Sequence, residues 1–448
     1  MSEPIISVSG LRGVIGESLT PEVAIRYAVA FAALAPPGAI LISRDGRPSG
    51  CMLAAALSAG LQAAGRNTID AGILATPSVG VLVRELQVAG GIQITASHNP
   101  SEYNGLKLFS HQGRVIPAGP GEEVLRQYQS GTAVWATHDQ IGLPEACIDA
   151  HSGHLHAVLA TIDYHRIRDR HIPVLLDANH GAGAMLGRRL LEELGCSVTV
   201  LGDESDGQFE HPPEPTAENL AGVLSAVTGS GAAIGFCQDP DADRLAVIDE
   251  TGRYLGEEYT VAMCVQHILR HRRGPIVVNC ATSRMSQDLA ERHGVPLYRT
   301  AVGEANVVDA MIEHEAVFGG EGNGGPIDPR VGMVRDSFVG MALLLDAMAE
   351  RGKKISQLAD ELPRYEIVKT KIALPRERIP AALDALEQHF PDADADSRDG
   401  LRFDWPDRWL LVRGSNTEPI ARAIAEASTA EEAERLCDEA AAVVQRVL

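Results

Sequence analysis

The chain has no basic excess, no long apolar run and no paired cysteines, and each absence narrows what it can do. Its 448 residues carry a formal net charge of −21. Nucleic acid and anionic membranes attract basic surfaces, so neither is expected as the main partner. No uninterrupted apolar stretch approaches the roughly 18–20 residues needed to span a bilayer. Residues 1–9 lack the basic and apolar regions of a secretory signal, and a cytoplasmic protein is the expectation. Seven cysteines lie scattered from Cys51 to Cys437 without a CxxC pair. That usage argues against a disulfide framework and a zinc site, leaving most of them as small buried apolar residues. The nucleophile elbow G-x-S-x-G, the GK[ST] of a P-loop and the spacing of a dinucleotide fingerprint are also missing.

What is present is an ordinary globular composition, 45% hydrophobic and 22% charged, in a chain too long for one core. Apolar runs bounded by Gly and Pro alternate with amphipathic stretches of helical length. Strands are expected at 39–43, 91–95, 172–177 and 275–279, with helices at 51–64, 181–194 and 286–293. The alternation predicts three α/β units in series. The last stretch reads differently, with strands at 366–374, 401–405 and 409–413 and helices at 380–389 and 430–447, a smaller α+β domain. The fold class is therefore α/β, three α/β domains plus a C-terminal α+β domain, divided as 1–150, 151–250, 251–367 and 368–448. Segments 211–215 and 390–399, rich in Pro and Asp, read as surface turns.

Four motifs carry chemistry. Thr95-Ala96-Ser97-His98-Asn99-Pro100 follows a predicted strand, where open α/β sheets place their ligands, so Ser97 is a candidate nucleophile; an ordinary Asn-Pro turn is the plainer reading. Ten residues on, Lys107 becomes a proton donor or acceptor if burial lowers its pKa. In Asp239-Pro240-Asp241-Ala242-Asp243-Arg244, carboxylates at every second position of an extended loop converge on one point, which suits magnesium or calcium. An EF-hand is excluded because Arg244 stands where its turn needs Gly; a solvated acidic turn is the alternative. Gly319-Gly320-Glu321-Gly322-Asn323-Gly324-Gly325 offers a carboxylate and an amide on a loop that a ligand can approach closely, or simply a flexible turn. Arg413-Gly414-Ser415-Asn416-Thr417-Glu418-Pro419, with Arg422 beyond it, combines guanidinium forks, hydroxyls and backbone N–H groups, either a phosphate cradle or a helix-capping turn.

With these motifs in this order, the chain resembles the α-D-phosphohexomutase superfamily along nearly its whole length. Ser9-Gly10-Leu11-Arg12-Gly13, Arg44-Asp45-Gly46-Arg47-Pro48-Ser49, residues 177–183 and residues 209–215 add to the likeness. The resemblance implies mixed sheets in the three α/β domains, a C-terminal domain akin to the TATA-binding-protein fold, and one central cleft. It implies that Ser97 bears a phosphate and that Asp239, Asp241 and Asp243, with that phosphate, hold one Mg2+ per chain. Arg244 would contact the phosphate, with Lys107, Arg12 and His98 at the catalytic centre. Glu321 and Asn323 would hold sugar hydroxyls; Arg413, Ser415, Asn416, Thr417 and Arg422 would hold the phosphate that is not reacting. A hexose 1,6-bisphosphate would serve as intermediate and activator, the partners being small sugar phosphates and the assembly a monomer or homodimer.

Departures from the common family pattern bear on the sugar. The loop Glu321-Gly322-Asn323-Gly324-Gly325 and the preceding Val302-Gly303-Glu304 resemble phosphoglucosamine mutases, and an acidic Glu304 near the sugar would favour an ammonium substituent. Glucosamine phosphate is the expected substrate. A phosphoglucomutase/phosphomannomutase is the nearest rival; a non-catalytic sugar-phosphate-binding protein and a metal-dependent phosphatase are the others.

Overall fold

The computed structural model describes residues 4–7, 10–414 and 420–447. Among them no helix is long and apolar enough to cross a membrane. The strands form four sheets, and the architecture is four-domain, three α/β units followed by a distinct α+β unit. The first sheet runs in the order Ile5–Ser7, Gly10–Val14, Tyr103–Ser110, Gly90–Ile94, Ile40–Arg44, Thr68–Ile73, Pro144–Ala146. Its last four strands pair in parallel and the rest antiparallel, so the sheet is mixed.

The second and third sheets repeat one device at smaller scale. Each has three parallel strands and one antiparallel edge, ordered 245–249, 234–238, 173–177, 197–201 and 297–300, 276–279, 318–321, 325–327. In all three α/β units a parallel strand ends, a polar loop turns, and the chain returns antiparallel beside it: Gly90–Ile94 to Tyr103–Ser110, Ile234–Gln238 to Leu245–Asp249, Phe318–Glu321 to Gly325–Ile327. The three chemistry-bearing loops occupy these equivalent turns. A parallel sheet covered by helices leaves only its strand ends open, which is why ligand groups gather there.

The fourth sheet is wholly antiparallel, from Glu366–Ala373 through Ile420–Ala427, Trp409–Gly414 and Leu401–Asp404 to Asp394–Asp396. The last of these corrects the reading of 390–399 as a turn: a short edge strand lies within it. The strand Ile420–Ala427 escaped sequence reading because four alanines in eight residues resemble a helix.

One core runs through the second and third units, joining Leu176 and Phe236 to Val261, Phe318 and Phe338. Its axis is the helix Ser337–Arg351, in which residues 337 to 349 are all buried; covered on every side, it presents no amphipathic period. Asp336 caps it, accepting from Phe338 N at 2.9 Å and Val339 N at 3.2 Å. The fourth unit has its own core and meets the third through Cys280, Trp409 and Leu411. Arg402 lies over the Trp409 ring at 4.0 Å, and Trp409 Nε1 donates to Glu426 at 2.8 Å.

Candidate active site

The serine loop is clamped from below. Thr95 Oγ1 donates to Asp45 Oδ2 at 2.7 Å and accepts from Ser97 N at 2.9 Å. Arg47 pairs with Asp45 and donates to the carbonyls of Ser97 (2.8 Å) and Asn99 (2.5 Å). From the neighbouring strand, Arg12 reaches Asn99 Oδ1 at 3.2 Å. This clamp keeps Ser97 at φ +51°, a left-handed conformation that costs a residue with a Cβ about 1–2 kcal/mol. The strain turns the hydroxyl toward the second unit. Ser97 Oγ donates to Asp239 Oδ2 at 2.8 Å, and His98 Nδ1 lies 3.2 Å from Ser97 Oγ.

The aspartate loop is a tight turn rather than the extended segment expected. Ala242 N donates to Asp239 O at 2.9 Å, and Ala242 adopts φ +56°. Asp239, Asp241 and Asp243 converge even so, each offering an oxygen within 4.8 Å of the others, and all are fully buried. Thr76 fixes the middle one, donating Oγ1 to Asp241 Oδ2 at 2.6 Å and its N–H to Asp241 O at 2.9 Å. Lys107 Nζ bridges Asp241 Oδ2 (3.1 Å) and Asp243 Oδ2 (2.8 Å). Asp241 Oδ1 and Asp243 Oδ1, in contrast, are buried without any hydrogen-bond partner. Buried lone pairs left bare are costly, and two of them among three clustered carboxylates suit a hard divalent cation. The residues fit magnesium.

Electrostatics separates the ionisable groups. Burial, then the charges of Asp241 and Asp243, pushes the Asp239 carboxyl well above its ordinary range. Burial opposes ionisation of Asp241 too, but Lys107 and Thr76 outweigh it and hold Asp241 low. The expectation for Lys107 is reversed: burial does favour the neutral amine, yet the carboxylates of Asp241 and Asp243 overcome it and raise the pKa. Arg244, burial and Arg12 hold the His98 imidazole down to about 2, so it is neutral.

Arg335 ties this centre to the third unit and was missed in the sequence, where it is a lone arginine before a helix cap. Its guanidinium donates to Asp243 Oδ2 at 2.7 Å and Glu321 Oε2 at 2.8 Å. Its backbone N–H donates to Glu304 Oε1 at 2.8 Å. Glu304 is thus buried against Arg335, whose single charge it shares with Asp243 and Glu321. Glu321 Oε1 accepts from Asn279 Nδ2 at 2.7 Å and Gly303 N at 2.9 Å. Gly324 sits at φ +78° with its carbonyl accepting from Leu245 N at 2.8 Å, and a Cβ there would meet Leu245 O at 2.4 Å. Only glycine fits so close an approach. The third loop is thereby pinned to the strand that leaves the aspartate turn.

Segments 177–183 and 209–215 brace the second loop together. His211 Nε2 meets Asp177 Oδ2 at 2.9 Å, Asn179 Nδ2 donates to His211 O at 3.0 Å, and Ala182 N donates to Pro240 O at 2.8 Å. The surface turn expected at 211–215 is therefore a partly buried strut.

Between the units lies a cleft of about 510 Å³ whose lining includes His98, Arg244, Asn323, Lys369, Arg413 and Arg422, so all four units contribute. Arg413 and Arg422 are directly opposed across antiparallel strands, and Arg413 Nε donates to Asp399 Oδ1 at 3.1 Å. Asn323 Oδ1 is buried without a partner. Ser415, Asn416 and Thr417 lie outside the described residues.

Comparison with known proteins matches this geometry to one family. Models of the phosphoglucomutase/phosphomannomutase family match residues 5–134 (alpha/beta/alpha domain I), 152–252 (domain II), 257–365 (domain III) and 370–443 (C-terminal domain). A phosphoglucomutase/phosphomannomutase of Thermococcus kodakarensis is 37% identical over 95% of this chain and 94% of its own. A probable phosphoglucosamine mutase of Methanopyrus kandleri is 34% identical over 98% of this chain and 97% of its own. The crystal structure of a phosphoglucomutase/phosphomannomutase family protein from Burkholderia thailandensis superposes with a TM-score of 0.86 at 27% identity, covering 99% of this chain and 98% of that one. The chain belongs to the phosphoglucomutase/phosphomannomutase family and is a phosphohexomutase.

Proposed function

We propose that this phosphohexomutase interconverts glucosamine 6-phosphate and glucosamine 1-phosphate through a phosphate carried on Ser97. The carrying observation is the 2.8 Å contact between Ser97 Oγ and Asp239 Oδ2, which joins a strained serine of one unit to the carboxylate cluster of the next. Phospho-Ser97 gives its phosphoryl group to a sugar hydroxyl, whose proton leaves for a base in the cleft, and a 1,6-bisphosphate forms. The freed Ser97 Oγ takes up a proton from the cleft. Once the bisphosphate has reversed, its other phosphate passes to Ser97 Oγ, the serine proton leaves, the departing sugar oxygen takes one up, and the isomeric monophosphate is released. Ser97 Oγ donates to Asp239 Oδ2 at 2.8 Å, which sets the direction in which the serine proton leaves. His98, 3.2 Å from that Oγ and held neutral by Arg244, burial and Arg12, takes no charge there. A divalent cation held by Asp239, Asp241 and Asp243 would neutralise the phosphoryl group in transfer.

Arg244 faces the cleft from the reacting side and Arg413 and Arg422 from the opposite side, so the bisphosphate can reverse with its two phosphates exchanging places, each finding arginine at its new position. An added hexose 1,6-bisphosphate would act as activator by phosphorylating Ser97. For the sugar, support comes from Asn323, whose buried and unpaired Oδ1 on the cleft wall suits an N–H donor, and from relatives named probable phosphoglucosamine mutase. The rival phosphoglucomutase/phosphomannomutase reading keeps the same machinery.

The test is a side-by-side assay of glucosamine, glucose and mannose phosphates with magnesium and a catalytic amount of the matching bisphosphate. The reading expects the highest kcat/KM on glucosamine phosphate. A preference for glucose or mannose phosphate overturns the sugar assignment, and turnover of none overturns the mutase assignment.

A further inference from the structure

On the helices Glu257–His271 and Ser337–Arg351, two i,i+4 pairs face each other: His267 and His271 on one, Asp346 and Glu350 on the other. None of the four lines the cleft, and the reaction gives them no role. His267 is 3% exposed. Its Nε2 lies 3.0 Å from Asp346 Oδ2, while its Nδ1 is buried with no hydrogen-bond partner and lies 3.7 Å from Glu350 Oε2. His271 Nε2 comes to 2.8 Å from that same Glu350 oxygen. With one ligand atom each, His267, His271 and Glu350 fall within 4.8 Å of one another.

With the proton on Nε2 donated to Asp346, Nδ1 presents a lone pair to a carboxylate oxygen. Two acceptors face each other across 3.7 Å, and something positive belongs between them. Around a tetrahedral ion with bonds of about 2.0–2.2 Å, ligand atoms stand roughly 3.4 Å apart, and the observed 2.8 and 3.7 Å straddle that spacing. Asp346 then orients the histidine from behind, as carboxylates do at zinc sites. The nearby cations leave the position clear: Arg166 NH2 is on Asp346 Oδ1 at 2.6 Å, and Arg270 NH2 is 3.7 Å from Glu350 Oε1 rather than Oε2. His271 is exposed enough to admit an ion, and a solvent molecule would complete the shell.

We propose that His267, His271 and Glu350 form a second metal site, for zinc or a similar nitrogen-preferring divalent ion, that clips these two helices on the side of the third unit away from the cleft. Two histidines and a carboxylate favour zinc over magnesium. The site is structural, so its readout is binding and stability rather than turnover.

The test uses the full chain stripped with chelator and titrated with Co2+ while magnesium is in excess, which leaves cobalt at the aspartate cluster only a weak octahedral spectrum. The proposal expects visible bands of tetrahedral cobalt that saturate at one ion per chain and vanish on adding Zn2+. It also expects Zn2+ to raise the Tm by a few degrees. His271→Ala, an exposed position that the fold tolerates, should abolish both effects, and Asp346→Asn should weaken cobalt binding about tenfold. Absent tetrahedral bands, bands unchanged in His271→Ala, or a Tm indifferent to Zn2+ would each overturn it.

Discussion

The two ends of the cleft are built on opposite plans. Where the first unit meets the second, Ser97 and the three aspartates are buried and cross-braced: Ser97 is held through Thr95, Asp45 and Arg47, and the aspartates through Thr76, Lys107 and Arg335. Where the third unit meets the fourth, Arg413 is partly buried and Arg422 exposed on an antiparallel sheet, with Asp399 bracing Arg413. On the proposed mechanism the first end is the reacting centre, which must hold charge in place, and the second anchors a spectator phosphate, which must take a sugar in either orientation. The difference teaches that rigidity is spent at one end and adaptability at the other.

Substitutions break the comparison in descending order of effect. Ser97→Ala removes the carrier and should cut turnover about a thousandfold or more while the fold survives; turnover close to wild type in a coupled assay contradicts the rigid-centre account. Asp241→Asn, or chelation of divalent ions, comes next, with a loss of about 100-fold in kcat and little change in sugar-phosphate binding measured by calorimetry. Chelation should reverse on adding magnesium. Arg335→Met leaves Asp243, Glu304 and Glu321 without their shared cation, at a cost of roughly 3–5 kcal/mol in chemical denaturation. If the units are braced as described, kcat falls with it.

Arg413→Ala tests the other end. Losing a charge-assisted contact worth about 1.5–3 kcal/mol should raise KM tenfold or more, with kcat reduced less than in Arg335→Met. The smallest effect on turnover concerns Glu258, on the cleft wall, whose burial pushes its carboxyl up to about 8 from an ordinary 4.5. A carboxyl raised on folding favours the protonated native state, so stability is lost as pH climbs from about 4.5 to about 8. Glu258→Gln should therefore match wild type in Tm near the lower limit and exceed it progressively toward the upper. A difference that does not change with pH rules this out.

Much of this was readable because the chemistry sits where local rules are strong. Strand ends followed by Asn-Pro or Asp-Pro turns located Ser97 and the aspartates, and Gly clusters located the third loop. Ser337–Arg351 was invisible because a helix buried on all sides has no hydrophobic period. Arg335 and Thr76 were invisible for another reason: each matters only through a partner far away in the sequence, Asp243 for one and Asp241 for the other. The sign of the Lys107 shift was misread because burial was weighed without the two carboxylates that the fold brings to its amine.

Intact-protein mass spectrometry tests the central claim most directly. After incubation with glucosamine or glucose 1,6-bisphosphate and magnesium, the wild-type chain should carry a single added phosphate that fragmentation assigns to Ser97. Dilution into hexose monophosphate should remove it, and Ser97→Ala should acquire none. A phosphate on another residue, or catalytic turnover by a chain that never becomes phosphorylated, would contradict the account.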